Sequence, residues 1–267
     1  MSEYALRLSE AELARYELMA EIAAEAEGHL WAAAGVVEGA AVADVGCGPG
    51  AVSALLARLV GATGSVRSVD RDAEVIEAAR TVVGRAGVAN VTFGVGEAHD
   101  TGIAPGSVDL VMIRHVLAHN GSREQAIVDH AASLVRPGGA VYLVDIDMTA
   151  FRLRPADSDV ADLDSRYERW HAQQGNDLTI GLRLAELLAG AGLVDVEHHG
   201  RYHILPVRPG FRPPSWAARA ALVAAGLATE ADVARWDAAF VRLDQAALRP
   251  TLFVPQFFAF GRRPALD

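Results

Sequence analysis

The sequence contains no lysine, so all 24 of its basic residues are arginines. Without a lysine amine, the chain cannot form a Schiff base, build a Walker-type phosphate loop or supply the Tyr-x-x-x-Lys pair of short-chain dehydrogenases. It contains one cysteine, Cys47, which excludes an internal disulfide and is typical of a reducing cytoplasm. Because Cys47 stands between two glycines with no activating base implied nearby, we expect a small buried side chain rather than a nucleophile.

Long hydrophobic runs and basic charge are also lacking. No stretch of about 18 uncharged apolar residues occurs, so we expect no membrane span. The first residues lack the basic and apolar regions of a signal peptide, which again favours the cytoplasm. The net charge of -10 argues against a nucleic-acid partner, whose phosphates require a basic surface. The 267 residues, 51% of them hydrophobic, suit one domain with additions.

What the chain does contain is a glycine turn between a buried strand and a helix. Residues 41–45 are short and apolar, as in a buried parallel strand, and a helical pattern covers residues 51–60. Gly46, Gly48 and Gly50 lie between them. Strand, glycine turn and helix form the opening unit of a nucleotide-binding α/β fold, where glycine lets the backbone approach a ligand.

Strands and helices then alternate as far as residue 147. Further strands are predicted at residues 65–69, 90–95, 108–113 and 140–146, with helices between several of them, so we expect a parallel sheet. A capping box of Ser9 and Glu12 predicts an N-terminal helix to about residue 27, followed by a short helix over residues 29–34. Residues 148–180 are predicted to lack strands and to hold an inserted helix. Strands at 194–204 and 251–261 flank two helices, the second capped by Thr229.

Four ordered motifs resemble those of class I S-adenosylmethionine-dependent methyltransferases. They are the Asp-x-Gly-x-Gly-Pro-Gly turn from Asp44, Asp70 after the second strand, Glu97-Ala98 after the third, and Arg-Pro-Gly-Gly before the fifth. The capped N-terminal helix and the Phe-Gly-Arg-Arg-Pro ending resemble bacterial small-molecule methyltransferases of the ubiquinone and menaquinone type. The resemblance implies a Rossmann-like seven-stranded α/β sheet, mostly parallel with an antiparallel last strand. Residues 1–34 would form a helical cap, 35–147 the cofactor-binding core, and 148–267 a lid insertion, helices and completing strands.

The resemblance also implies roles for named residues towards the cofactor, S-adenosylmethionine. Gly46 and Gly48 would let the backbone pass the methionine moiety, and Asp44 would steady the loop or the ammonium group. Asp70 would hold the ribose hydroxyls. The other implied contacts are Arg71 beside the adenine, Glu97 or the Ala98 backbone at the adenine amino group, and the Arg114 backbone along the methionine.

The sequence identifies the residues that bind the methyl acceptor less clearly than those that bind the cofactor. His115, just after the fourth strand, is our candidate general base, with a structural histidine as the rival interpretation. The side chains available to contact an acceptor are Tyr16, Trp31, His119, Tyr167, Trp170 and His171. The spacing of His115 and His119 and the pair Asp145 and Asp147 could each suit a metal, but we expect none.

We therefore expect in-line transfer of a methyl group from S-adenosylmethionine to a small aromatic or secondary-metabolite acceptor. A nicotinamide oxidoreductase is the rival, because Gly46, Gly48 and Ala51 also fit Gly-x-Gly-x-x-Gly/Ala with Asp70 downstream. A non-catalytic nucleoside-binding protein is the second alternative. The Asn/Asp-Pro-Pro-aromatic motif is absent after the fourth strand, which argues against a base-flipping enzyme. A homodimer is left open.

Overall fold

The computed structural model describes residues 10–265, with side chains placed from residue 16 onward. Ser9, the predicted helix cap, lies outside the described residues. The strands are β1 (Ala41–Val45), β2 (Ser65–Asp70), β3 (Val91–Val95), β4 (Val108–Arg114), β5 (Val135–Ile146), β6 (Arg152–Arg154), β7 (Val194–Pro206) and β8 (Thr251–Arg262). The helices are α1 (Glu10–Ala34), α2 (Ala51–Val60), α3 (Ala73–Arg85), α4 (Glu124–Leu134), α5 (Ser158–Gln173), α6 (Leu184–Gly190), α7 (Pro214–Ala217), α8 (Arg219–Ala224) and α9 (Glu230–Gln245).

The strands form one mostly parallel sheet. Its order is β3-β2-β1-β4-β5-β8, and the first five strands run parallel. Strand β8 is antiparallel to β5 and to β7. This confirms the predicted methyltransferase-type sheet with its antiparallel last strand.

The sheet has eight strands where seven were predicted. The additional strand is β6, which lies in the segment predicted to lack strands and pairs with the first three residues of β8. Strand β5 ends at Ile146, opposite Gln256, so the earlier residues of β8 extend past it and need another partner. The backbone N–H and C=O groups on that edge of β8 need hydrogen-bond partners, and the short strand β6 provides them.

Helix α1 is continuous, whereas two helices were predicted. Gly28 lies between the two predicted helices, and glycine costs about 1 kcal/mol in a helix interior. Here the flanking residues Glu27, Leu30 and Trp31 are all buried, and Leu30 and Trp31 pack in the hydrophobic cluster that also holds Val42 and Tyr142. Burial on both sides of Gly28 outweighs its low helix propensity.

Two hydrophobic clusters cover the two faces of the sheet, and a third lies among α5, α8 and α9. Helix α9 begins with the predicted cap, since the Thr229 hydroxyl accepts from the backbone of Asp232. Asp232 also binds Arg166 of α5 through both carboxylate oxygens at 3.0 and 3.1 Å. These contacts join the inserted helix to the C-terminal helices. Within residues 10–265, no helix combines the length and apolarity that crossing a membrane requires.

Candidate functional site at the carboxyl edge of the sheet

The turn between β1 and α2 contains three glycines whose φ angles are positive: Gly46 at 72°, Gly48 at 52° and Gly50 at 79°. A Cβ on Gly46 would collide with Val116, and one on Gly50 would come within 3.0 Å of Ala79 Cβ. A Cβ on Gly48 would meet nothing within 4 Å. Gly48 is therefore the glycine with open space for a ligand, while Gly46, to which the same role was assigned, is also required for packing.

Asp70 ends β2 next to this turn. Its Oδ2 accepts from the Gly48 backbone N–H at 3.0 Å, and its Oδ1 accepts from the Asp72 N–H at 3.1 Å. Each oxygen keeps a further lone pair, so the oriented carboxylate can still accept two hydroxyl groups. Arg71, predicted to flank the adenine, has an exposed side chain at the same edge.

Asp44 lies beneath the turn and is 3% exposed. Its Oδ2 accepts from the Ser53 hydroxyl at 2.6 Å, and the Ser68 hydroxyl donates to Ser53 at 2.9 Å. Burial raises the pKa of the Asp44 carboxyl from 3.8 to about 6. A cation placed above the turn, such as an α-ammonium group, would favour its charged form.

The two residues assigned to the adenine differ in exposure. The Glu97 side chain is exposed, and its backbone carbonyl accepts from the Asp100 N–H at 3.0 Å. Ala98 is partly buried and packs against the hydrophobic cluster that contains Val45 and Ile113. Of the two alternatives, the Ala98 backbone is the better placed to line a binding surface.

Arg114, at the end of β4, turns its side chain into a buried polar network. Its guanidinium binds both carboxylate oxygens of Glu27, one of them at 3.0 Å, and the Glu27 side chain is 0% exposed. Glu27 also accepts from Trp31 Nε1 and from the Tyr142 hydroxyl, each at 3.1 Å. The network joins α1 to the sheet, and no motif in the sequence signalled it.

The predicted acceptor contact of Trp31 is wrong. Trp31 is 0% exposed, because its ring packs in the core and its only polar side-chain atom binds Glu27. It therefore has no surface to offer an acceptor. Tyr16 lies on the N-terminal half of α1 and is partly buried, one residue before Glu17, which lines a groove against α2 and α3.

His115 follows β4 with a φ of 53°, and its side chain is 42% exposed. Its Nδ1 lies 3.8 Å from Oδ1 of the buried Asp145, at the end of β5. Its Nε2 lies 3.1 Å from Gln256 Nε2, and Gln256 Oε1 lies 2.6 Å from His203 Nε2. The structure thus gives His115 two oriented partners from strands that the sequence did not connect to it.

Four predicted acceptor contacts come together where the turn after β4 meets α5. His171 of α5 lies with its ring centroid 5.1 Å from that of His119, 4.4 Å from Tyr167 and 4.8 Å from Trp170. Tyr167 and His171 are buried, whereas Trp170 is partly exposed. The cluster places the inserted helix against the turn that follows β4.

Asn176 fixes the proton position on His171. Asn176 Oδ1 accepts from the Gly121 backbone N–H at 2.9 Å, so its amide N–H faces His171 Nδ1 at 2.8 Å. Nδ1 therefore accepts, and the proton of the neutral ring lies on Nε2, for which the described part of the chain provides no hydrogen-bond partner. Burial lowers the pKa of His171 to about 4, which keeps the ring neutral.

The two residue pairs whose spacing could suit a metal are engaged in contacts within the protein. His119 lies in a 3-10 turn, Leu117–His119, so it does not share a helical face with His115. Asp145 accepts from the Ala118 N–H, and Asp147 accepts from the backbone and hydroxyl of Thr149. Among the described residues, no group of three or more His, Cys, Asp and Glu side chains is placed to hold a metal ion.

Cys47 is buried within the turn, with its Sγ 3.5 Å from the Gly48 carbonyl oxygen. Burial, followed by the charges of Asp44 and Asp70, raises the pKa of the thiol well above its ordinary value. The thiol therefore stays protonated and unreactive, although it lies within the turn.

Comparisons with known proteins also identify a methyltransferase domain in this chain. A family model described as a methyltransferase domain matches residues 37–188. Over 133 residues the chain is 33% identical to an arsenite methyltransferase of Aquipseudomonas alcaligenes, and over 112 residues it is 38% identical to a ubiquinone biosynthesis O-methyltransferase of Xanthomonas euvesicatoria. The matches cover 47% and 42% of this chain and only 38% and 45% of those relatives.

Two solved structures share the fold. A candidate methyltransferase from Bacillus halodurans superposes with a TM-score of 0.60 at 17% identity, covering 89% of this chain and 98% of that one. Phosphoethanolamine N-methyltransferase 2 of Haemonchus contortus, solved with S-adenosylhomocysteine, gives a TM-score of 0.54 at 17% identity and covers 88% of this chain and 52% of that one. The family match also decides against the nicotinamide interpretation of the glycine turn. The chain belongs to the class I S-adenosylmethionine-dependent methyltransferases.

Proposed function

We propose that this protein transfers a methyl group from S-adenosylmethionine to a hydroxyl oxygen of a small aromatic molecule. The observation that carries the proposal is the position of His115 after β4. Its partly exposed side chain has Nδ1 3.8 Å from Asp145 and Nε2 within hydrogen-bond distance of Gln256. A partly exposed histidine with a carboxylate on one side of its ring suits a general base.

The chain's residues fit the cofactor. Gly48 leaves open space at the turn, Asp70 keeps free lone pairs for the ribose, and Asp44 offers a carboxyl that an ammonium group would ionise. S-adenosylmethionine supplies a methyl group already activated on a sulfonium sulfur. The protein then has to align the acceptor with that methyl group and exclude water.

The acceptor hydroxyl would first replace the Gln256 N–H at the single lone pair of His115 Nε2. His115 would then take the hydroxyl proton on Nε2 as the oxygen forms its bond to the methyl carbon. The sulfur–methyl bond breaks in the same displacement, and its electron pair stays on sulfur, so the products are the methyl ether, the thioether and a protonated His115. Asp145 would stabilise that positive charge through Nδ1–H.

The two groups of named relatives differ in acceptor, and the cysteine count favours oxygen. Arsenic(III) is a soft centre that prefers thiolate ligands. This chain has one cysteine, and its buried thiol stays protonated because burial raises its pKa. The ubiquinone biosynthesis relatives are named as O-methyltransferases. Since the chain spans less than half of either group's length, the acceptor is our proposal and not a transfer of their activity.

The aromatic character of the acceptor rests on the side chains beside His115. His119 after β4 and Trp170 on α5 have partly exposed rings, and flat rings pack well on such surfaces. The chain's net charge of -10 remains unfavourable for a nucleic acid.

The test is a methyl-transfer assay. The protein is incubated with isotopically labelled S-adenosylmethionine and a panel of phenols and catechols, and labelled products are separated by chromatography. We expect the labelled methyl group to be bonded to an oxygen of the acceptor, as an ether. For His115→Gln we expect kcat to fall about 100-fold. The control is His199→Gln, an exposed histidine on β7 whose substitution should leave kcat unchanged. Tight S-adenosylmethionine binding with no transfer to any acceptor would instead support a non-catalytic binding protein.

A further inference from the structure

A line of hydrogen-bonding side chains crosses the far half of the sheet. His203 of β7 lies 2.6 Å from Gln256 Oε1 on β8, and Gln256 Nε2 lies 3.1 Å from His115 Nε2 after β4. His115 Nδ1 faces Asp145 Oδ1 of β5 at 3.8 Å. Gln256 is 8% exposed, so its amide has little access to water as an alternative partner.

The donors and acceptors along this line have one consistent order when His115 is neutral. Burial lowers the pKa of His203, so it is neutral and donates its Nε2 proton to Gln256 Oε1. The Gln256 N–H then donates to the lone pair of His115 Nε2, and the proton of His115 lies on Nδ1 towards Asp145. If the Gln256 amide were reversed, its Oε1 would face His115 Nε2, and the proton of His115 would have to lie there. The lone pair of His115 Nδ1 would then face the Asp145 carboxylate, which is repulsive.

This order selects the tautomer that a base requires. His115 must hold its lone pair on Nε2, the nitrogen on the side of Gln256, to accept a proton there. The acceptor hydroxyl takes the place of the Gln256 N–H at that lone pair when it binds. The Asp145 oxygen, at 3.8 Å, is beyond hydrogen-bond distance, whereas Gln256 is within it. Gln256 is therefore the closer of the two groups that can set the tautomer.

The same amide can serve the protonated state. Once His115 carries protons on both nitrogens, Nε2 becomes a donor and needs an acceptor. A half-turn of the Gln256 amide brings Oε1 to His115 and its N–H groups to His203, which then accepts on Nε2 if its proton moves to Nδ1. A carboxamide thus has a suitable partner for His115 before and after proton transfer.

Other charged groups surround this line. Burial lowers the pKa of His119, and the charges of Asp145, His115 and Arg71 also act on that pKa. Burial lowers the pKa of His203, whereas its hydrogen bond to Gln256 raises it. The charges of Arg201, Glu27 and Arg114 have smaller effects on the same pKa.

We infer that Gln256, supported by His203, is a positioning residue that holds His115 in the base-competent tautomer and accommodates its protonated form. The inference rests on the proposed function, because it assigns His115 the role of base. It also implies a class of acceptor: a neutral hydroxyl that must lose a proton, rather than an anion that is already nucleophilic.

The experiment reads the tautomer directly in the free protein. Nitrogen-15 NMR of histidine-labelled protein at neutral pH should show His115 protonated on Nδ1. In Gln256→Leu, the Nε2-protonated form, which dominates in free histidine, should become the major one. Gln256→Glu keeps the shape, and its carboxylate only accepts, so the proton of His115 in this variant should lie on Nε2. His199→Ala, an exposed position on β7, is the control and should change neither reading.

Kinetics supply the second reading. In Gln256→Leu we expect kcat to fall about tenfold with KM for S-adenosylmethionine unchanged, and in Gln256→Glu the acidic limb of the kcat/KM profile should move to higher pH. His115 protonated on Nε2 in the unsubstituted protein, or a tautomer unaffected by Gln256→Leu, overturns the inference. The proposed function fails separately, if His115→Gln transfers methyl groups at the full rate while the NMR results hold.

Discussion

Replacing Glu27 by glutamine tests the buried ion pair that joins α1 to the end of β4. The Glu27 side chain is 0% exposed and accepts from three residues: Arg114, Trp31 and Tyr142. Glutamine has nearly the same shape but only one acceptor oxygen and no charge. The guanidinium of Arg114, 10% exposed, would lose its counter-ion, and at least one donor would face an N–H group.

The size of the effect follows from the partners that remain. Removing one member of a buried ion pair costs about 3–5 kcal/mol, because the other charge stays buried without compensation. The slight exposure of Arg114 lets water screen part of that charge, so we expect the lower end, about 3 kcal/mol in the free energy of unfolding. A domain with a stability of about 5–15 kcal/mol would remain folded.

The assay is urea denaturation followed by circular dichroism, with Glu25→Gln as the matched control. Glu25 is exposed on the same helix, so its substitution should change stability by less than about 0.5 kcal/mol. Arg114→Met, alone and with Glu27→Gln, completes a double-mutant cycle, in which the two changes should be strongly non-additive. A loss below about 1 kcal/mol for Glu27→Gln, or one equal to that of Glu25→Gln, would refute the reasoning.

Three further substitutions test the turn. The folded pKa of Asp44, about 6, exceeds its ordinary value of 3.8, so the folded state binds more protons and Asp44 lowers stability as the pH rises from about 4 to 6. Asp44→Asn should flatten that part of the pH–stability curve and raise stability at pH 7 by up to about 3 kcal/mol; superimposable curves would contradict this. Asp70→Ala should weaken binding of S-adenosylhomocysteine by about 1–3 kcal/mol in calorimetry, and unchanged affinity removes the ribose assignment. Gly46→Ala should lower thermal stability by about 1–3 kcal/mol, since its φ is 72° and its Cβ would meet Val116. Val116→Ala should partly rescue Gly46→Ala, and a purely additive pair would exclude the collision.

The sequence was sufficient to predict those parts of the fold and site that are formed by residues close together in the chain. Asp44, Gly48 and Asp70 lie within 27 residues of one another, and a strand, a glycine turn and the next strand bring them together whatever the rest of the chain does. Alternating apolar segments likewise predicted the parallel core, because each βα unit has its own periodic signal.

The partners of His115 and Arg114 could not be predicted, because they come from distant elements. Gln256 lies 141 residues from His115, and Glu27 lies 87 residues from Arg114. Neither pair has a sequence motif, since only the register of β8 against β5 and the docking of α1 bring them into contact. Trp31 illustrates the same limit: an aromatic residue in a helix can line a pocket or fill the core, and tertiary packing decides.

The central claim is tested most directly by the crystal structure of the protein with S-adenosylhomocysteine. We predict that both ribose hydroxyls bind the Asp70 carboxylate, that the adenine amino group lies at the backbone of Ala98, and that the sulfur faces the side of the site where His115 and Gln256 meet. Ligand bound away from the β1–α2 turn, or with its sulfur remote from His115, would contradict the account.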